Sequence, residues 1–259
     1  MPHTTEIRRF PPPPRIRARR PAPAARGGVR ARRFLALAAA LAAFCARGEQ
    51  LWLSQSVSLP ATEALRLSFS NTVYMEHGEH FANEEAAGFR HALAPGWSAG
   101  GGITFGQDRV ERITEESGDG EKRRKRWVWS KRPSENLALD WCGTYGGWTI
   151  FDGQRFDLYF RRGERDWPLY RNIGSVTAPP VPGLPWNPRP YVTQQIYFTA
   201  REGYAGLDRF CQFRWGAGVR TAPLENLAVS VYWQYRDIED KTGEWVSYRV
   251  AGVSAALAF

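Results

Sequence analysis

The stretch from Trp245 to Phe259 constrains this chain more than any other. Trp245, Ala251, Val253, Ala255, Leu257 and Phe259 share one parity, interrupted only by Ser247 and Arg249. Tyr248, Gly252, Ser254, Ala256 and Ala258 occupy the other. A period of two makes a β-strand with one apolar face and one small or polar face. A strand of this kind that carries an outward terminal aromatic is expected of the last strand of a bacterial outer-membrane barrel. Phe259 would then be the residue presented to the barrel assembly machinery.

The formal charge of +9 on 259 residues suggests an anionic partner at first sight. Its distribution removes that reading. Eleven of the 35 basic residues and one of the 26 acids lie in residues 1–48, which leaves 24 basic and 25 acidic residues beyond them. Nucleic acid is therefore not an expected partner. Within the leader, Arg30-Ala-Arg-Arg33 precedes an apolar run from Phe34 to Phe44, then Cys45-Ala-Arg-Gly48. Basic start, short apolar middle and small-residue cut site are the parts of a secretory signal. The run is far shorter than the ~20 apolar residues that span a bilayer. Cleavage is expected after Gly48, with Ala46 at minus three; the alternative is after Cys45, with Ala43 there. Bulky Phe44 argues against a lipid anchor on Cys45. Residues 1–28, rich in Pro and Arg, are expected to be disordered, and Val29 is a candidate initiation position.

Beyond Gly48 the chain is aromatic-rich, alternating and broken by Gly, Pro, Asn and Asp, which favours an all-β domain over residues 49–259. Strands are expected at Gln50–Leu59, Leu65–Glu76, Glu84–Leu93, Trp97–Val110, Arg126–Tyr145 (interrupted at Pro133), Trp148–Arg162, Trp167–Thr177, Pro190–Arg201, Asp208–Thr221, Ala228–Ile238 and Trp245–Phe259. Short connections alternate with longer, more charged ones, as an up-and-down barrel requires. Trp97, Trp141 and Trp148 flank short turns, while Trp127, Trp167 and Trp245 flank long loops, as two aromatic girdles would. Single-chain bacterial barrels prefer an even strand number. The expectation is therefore an antiparallel transmembrane barrel of 10–12 strands, with twelve favoured. Cys142 and Cys211 fall on opposite strand parities and are expected to be free thiols.

Several segments carry a family likeness: Gln50-Leu-Trp52, Arg155-Phe-Asp-Leu-Tyr-Phe-Arg161, Trp167-Pro-Leu-Tyr-Arg-Asn172, Arg189-Pro-Tyr191 and Phe213-Arg-Trp-Gly-Ala-Gly-Val219. In this order the chain resembles the bacterial outer-membrane barrels grouped as domain of unknown function 2490. The likeness covers Gln50–Phe259. It implies fold and location and brings no catalytic residue. The chain departs from the family in its Pro-rich Ala178–Arg189 turn and its small, Gly-rich Ser98–Gly106 strand.

Polar strand parities give the lumen candidates Arg66, Glu76, Glu84, Arg90, Asp108, Asp140, Arg155, Asp157, Arg161, Arg214, Arg220 and Arg236. Two readings stay open: charges that pair across the lumen and fill it, or a narrow pore whose Arg-lined path favours anions. Glu76-His77-Gly78-Glu79-His80 holds side chains that bind divalent metals, but their spacing matches no established site; a polar hairpin explains it equally well. No cofactor is expected. A lipid-modifying barrel enzyme, the alternative function, would need a base from His77, His80 or His91. Lys122-Arg-Arg-Lys-Arg126, after four acids, could meet lipopolysaccharide phosphates or neutralise its own loop. The partners expected are outer-membrane lipids, lipopolysaccharide and the assembly machinery.

Overall fold

The computed structural model describes residues 49–115, 123–160, 167–199, 209–239 and 243–259. The leader, the signal segment and Arg161 lie outside the described residues. Eleven strands occur among them: β1 (Gln50–Pro60), β2 (Leu65–Glu76), β3 (Glu79–Ala94), β4 (Trp97–Glu115), β5 (Arg123–Tyr145), β6 (Trp148–Tyr159), β7 (Trp167–Thr177), β8 (Arg189–Thr199), β9 (Arg209–Leu224), β10 (Leu227–Glu239) and β11 (Trp245–Ala258). Each pairs antiparallel with its sequence neighbour, and β1 pairs with β11 to close a barrel.

The closing pair is parallel, in register from Gln50↔Val250 to Ser58↔Ala258. An odd number of up-and-down strands leaves the first and last running the same way, so only a parallel ladder can join them. The count falls inside the expected range but is not the favoured twelve. β1 is a full strand, and β5 runs through Pro133 without the expected interruption, so neither strand departs from the count of eleven. Pro133 is tolerated because the β5–β6 ladder begins one residue later, at Ser134↔Tyr159, so the missing N–H is not needed there. Its carbonyl still accepts from Phe160 N at 2.9 Å.

One rim carries the connections at 61–64, 95–96, 146–147, 178–188 and 225–226, together with Phe259; we call it the turn rim. The other, the loop rim, carries residue 49, the charged connections and one tight hairpin. That hairpin is His77-Gly78, with φ of 48° and 83°, the two positive values of a type I′ turn. It starts β3 at Glu79, five residues before the expected Glu84. Beyond Asp108 the β4–β5 ladder continues to Glu115↔Arg123. Residues 113–115 and 123–125, expected to belong to a long connection, are thus strand ends of a tall hairpin. The Pro-rich segment is pinned rather than free-standing: Ala178 N donates to Pro190 O at 2.8 Å, and Arg189 Nε to Ala178 O at 2.9 Å.

Polarity is inverted relative to a soluble domain. The buried side chains include Gln50, Asp140, Asp157, Gln212 and Gln234, while Phe69, Leu137 and Val192 are 51%, 67% and 56% exposed. Inward faces are polar or small and outward faces largely apolar, the architecture of an outer-membrane-type barrel. The outward face is less uniformly apolar than expected. Near mid-strand, Gln55, Asn71, Glu85, Glu135, Asp152, Asn172 and Gln194 take outward parity. On β6 and β7 these groups satisfy each other: Asp152 accepts from Gln154 Nε2 and Asn172 Nδ2, each at 2.9 Å, and Tyr170 OH donates to Gln154 Oε1. Asn172→Leu is expected to lower stability by about 1–3 kcal/mol, because it strips a partner from a carboxylate that stays behind. Asp152→Leu removes the carboxylate itself and is expected to be neutral or stabilising. Urea titration of the refolded barrel in detergent compares the two, and equal losses would refute the network.

Of the expected girdle, Trp97, Trp141 and Trp148 lie outward at the turn rim, where Trp97 and Trp141 are direct cross-strand partners. Trp245 lies outward at the loop rim, stacked on Phe210 with centroids 5.3 Å apart. Trp127 and Trp167 lie on β5 and β7, but their side chains fall outside the described ones.

Candidate functional site

The lumen gathers most of the predicted charges. Arg90 pairs with Asp140, and Arg171 Nη2 lies 3.2 Å from Asp157 Oδ2. Arg132 Nη2 bridges Glu84 Oε1 at 3.3 Å and Asp108 Oδ1 at 3.4 Å. Glu76 accepts from Gln50 Nε2 at 3.1 Å. At the turn rim Arg66 donates to Ser58 Oγ at 3.1 Å and to Phe259 O at 3.2 Å, which ties β2 to the end of β11 across the seam. Phe259 N itself donates to Ser58 O at 3.0 Å.

The remaining arginines have no carboxylate partner within ion-pair distance among the described residues. Arg155 lines the wall beside Asp157 and Arg171, with its Nε unpartnered. Arg220 donates to Ser230 Oγ at 3.3 Å and covers the Tyr191 ring at 5.5 Å. Arg214 and Arg236 are direct cross-strand partners on β9 and β10. The inward carboxylates Glu76, Glu84, Asp108, Asp140 and Asp157 all lie on β2–β6, whereas β9 and β10 bring Arg214, Arg220 and Arg236, with Glu239 at the loop rim. The lumen therefore has an ion-paired side and an arginine-and-aromatic side.

Two cavities are described within it. The loop-side cavity has a volume of about 430 Å³ and the turn-side cavity about 440 Å³. They share Thr104, Asp157 and Arg171 in their walls. The Asp157–Arg171 ion pair thus lies at a waist between these two cavities. The turn-side space exists because β1–β4 bring to its wall, beside Arg66 and Arg90, many small residues: Ser56, Ser58, Ser68, Ser70, Gly88, Gly100 and Gly102. At these last positions even a methyl group does not fit. A β-carbon on Gly102 would collide with Ala87 O and lie 2.9 Å from Gly88 Cα. This close approach of β3 and β4 explains the Gly-rich strand.

Arg132 and Arg171 were not among the predicted lumen residues, nor were Trp52 and Tyr197. For Arg171 the cause is an inverted pattern: on β7 the inward parity holds Leu169, Arg171 and Ile173 and the outward one Tyr170 and Asn172. Polarity alone therefore assigns that strand backwards. Only the register with Asp157 and Arg155 on β6 corrects it.

The other candidates do not assemble. His80 Nε2 is 3.0 Å from Ala82 O, and its ring packs on Trp129 with centroids 4.9 Å apart. Glu79 is taken by Arg109 Nη1 at 2.8 Å, and Glu76 faces the lumen toward Gln50. No group of three or more His, Cys, Asp or Glu side chains gathers around a metal-sized point among the described residues. His91 lies outward near the turn rim, in register with Leu65, far along β3 from His80. Cys142 and Cys211 are free thiols, though not because they face opposite sides of the wall. A bulge at Tyr197/Phe198 lets Cys211 line the loop-side cavity, while Cys142 lies at the turn end of β5. The length of the barrel separates them.

No family profile and no curated protein matches the chain. Among solved structures it is similar to the translocator domain of the autotransporter NalP from Neisseria meningitidis, with a TM-score of 0.44, 11% identity and 73% of each chain covered.

Proposed function

We propose that this protein is exported to the outer membrane of a Gram-negative cell and acts there as a narrow, anion-favouring pore without enzymatic activity. The charge census of the lumen carries this reading. Asp140 and Asp157 each face one arginine, Glu84 and Asp108 share Arg132, and Glu76 faces only Gln50, while Arg155, Arg214, Arg220 and Arg236 keep their charge without an ion pair among the described residues. A wall with surplus fixed positive charge lowers the barrier for anions and raises it for cations. Eleven strands also enclose more space than the eight that side chains fill, consistent with cavities above and below the waist. Membership of the outer-membrane barrels grouped as domain of unknown function 2490 belongs to the same proposal. So do insertion by the barrel assembly machinery and a setting among outer-membrane lipids and lipopolysaccharide.

The Asp157–Arg171 pair is the constriction, so its removal should widen the path. Refolded protein in a planar bilayer is expected to give discrete current steps. The Asp157→Ser/Arg171→Ser double variant is expected to give steps several times larger. Silence from both folded proteins would overturn the pore reading, and unchanged steps would remove the ion pair from the waist.

A further inference from the structure

Two guanidinium groups in direct cross-strand register repel each other, and like charges opposite one another destabilise a sheet. Arg214 and Arg236 hold that arrangement on inward faces of β9 and β10. Neither has a carboxylate partner among the described residues. What holds them is neutral. The Arg214 guanidinium lies between two rings, 5.0 Å from the Trp52 centroid and 4.7 Å from that of Tyr197. Arg236 lies 5.9 Å from Trp52 and from Tyr248. The Gln212 carboxamide oxygen, turned toward them, accepts from Arg236 Nε at 3.2 Å and from Arg214 Nη2 at 2.7 Å. Aromatic faces position the two forks and leave both charges in place. Gln212 draws them to one point without neutralising them.

We propose that Arg214 and Arg236 form a receptor for the oxyanion of a small soluble solute, a phosphate or carboxylate group, in the loop-side half of the lumen. The two forks border a cavity of about 430 Å³, room for a small metabolite rather than a bare ion alone. The carboxylates in the same wall are already engaged, and Glu239 at the loop rim has a partner of its own. Glu84 and Asp108 are engaged by Arg132, and Asp157 by Arg171. An incoming oxyanion finds two unneutralised guanidinium groups that can grip it with charge-assisted hydrogen bonds, with the Trp52 and Tyr197 rings against the Arg214 fork. Both forks point into the lumen, away from the outer wall, so a soluble solute and not a lipid headgroup is the ligand.

This inference rests on the reading that solute reaches the lumen, yet it can be tested without transport. Inorganic phosphate is titrated into the full refolded protein in detergent at low ionic strength and followed by calorimetry. One saturable site is expected. The Arg214→Gln/Arg236→Gln double variant should lose at least tenfold in affinity, while Arg220→Gln, nearer the turn rim, should keep it. If the double variant fails to fold, Arg236→Lys preserves the charge without the fork and should still weaken binding severalfold. No saturable binding to the native protein, or equal losses in Arg220→Gln and the double variant, would overturn the receptor. A barrel that conducts but does not bind phosphate refutes the receptor alone. One that binds but does not conduct refutes the pore and leaves the receptor standing.

Discussion

Val253→Arg is expected to cost about 2–4 kcal/mol of barrel stability in lipid, the penalty for a cation on the outer wall near the bilayer midplane. Val253 sits near the middle of β11, in register with Leu53 on β1 and Val231 on β10, an outward apolar patch that spans the parallel seam. Leu257→Arg places the same charge one turn-rim step away, beside Val57 and Leu227. There the arginine reaches the interface, and the expected cost falls to ~0–1 kcal/mol. The contrast separates depth from mere crowding. Folded fraction is read from the heat-modifiable shift on a gel and from urea titration in vesicles. Equal small costs at both positions would mean that this face does not meet lipid.

Gly102→Val is expected to be the most damaging single change inside the barrel, costing about 3 kcal/mol or more, the upper end for overpacking. The obstacle is backbone. The new side chain would meet Ala87 O and Gly88 Cα on β3, atoms held in the ladder by the Gly88↔Gly102 register. A flexible side chain could turn aside, but a ladder carbonyl cannot move without breaking its hydrogen bond. Gly174→Ala is the matched control, since its methyl meets only the Gln194 side chain, with Cγ at 3.3 Å. That change is expected to be tolerated, and even to gain ~0.5–1 kcal/mol from replacing a strand glycine. Similar behaviour of the two variants would show that β3 and β4 are not as close as described.

Much of the wall was legible from alternation because each strand of a membrane barrel carries its own inside and outside. On β2, Leu65, Leu67, Phe69, Val73 and Met75 against Arg66, Ser68, Ser70, Thr72 and Glu76 leave one assignment, and the register confirms it. The seam was not legible. A strand's side chains record which face is wet, not which strand lies beside it, so the parallel β1–β11 pair left no local mark. β7 shows a second limit, since its inward face is anchored by Leu169 and Ile173 around Arg171 and reads as the outer one. The bulge that brings Cys211 into the lumen is a third, because one extra residue reverses parity without any change in composition. The lumen site follows the same division. Arg214 and Arg236 were identifiable as inward charges, but their juxtaposition depended on the β9–β10 register, and Trp52 reached them only through the seam.

The reversal potential of the refolded protein across a planar bilayer, under a potassium chloride gradient, tests the central claim most directly. Surplus unpaired arginine in the lumen predicts discrete conductance steps whose reversal potential lies toward the chloride equilibrium value. A folded, heat-modifiable barrel that stays silent, or one that reverses toward the potassium value, would contradict it.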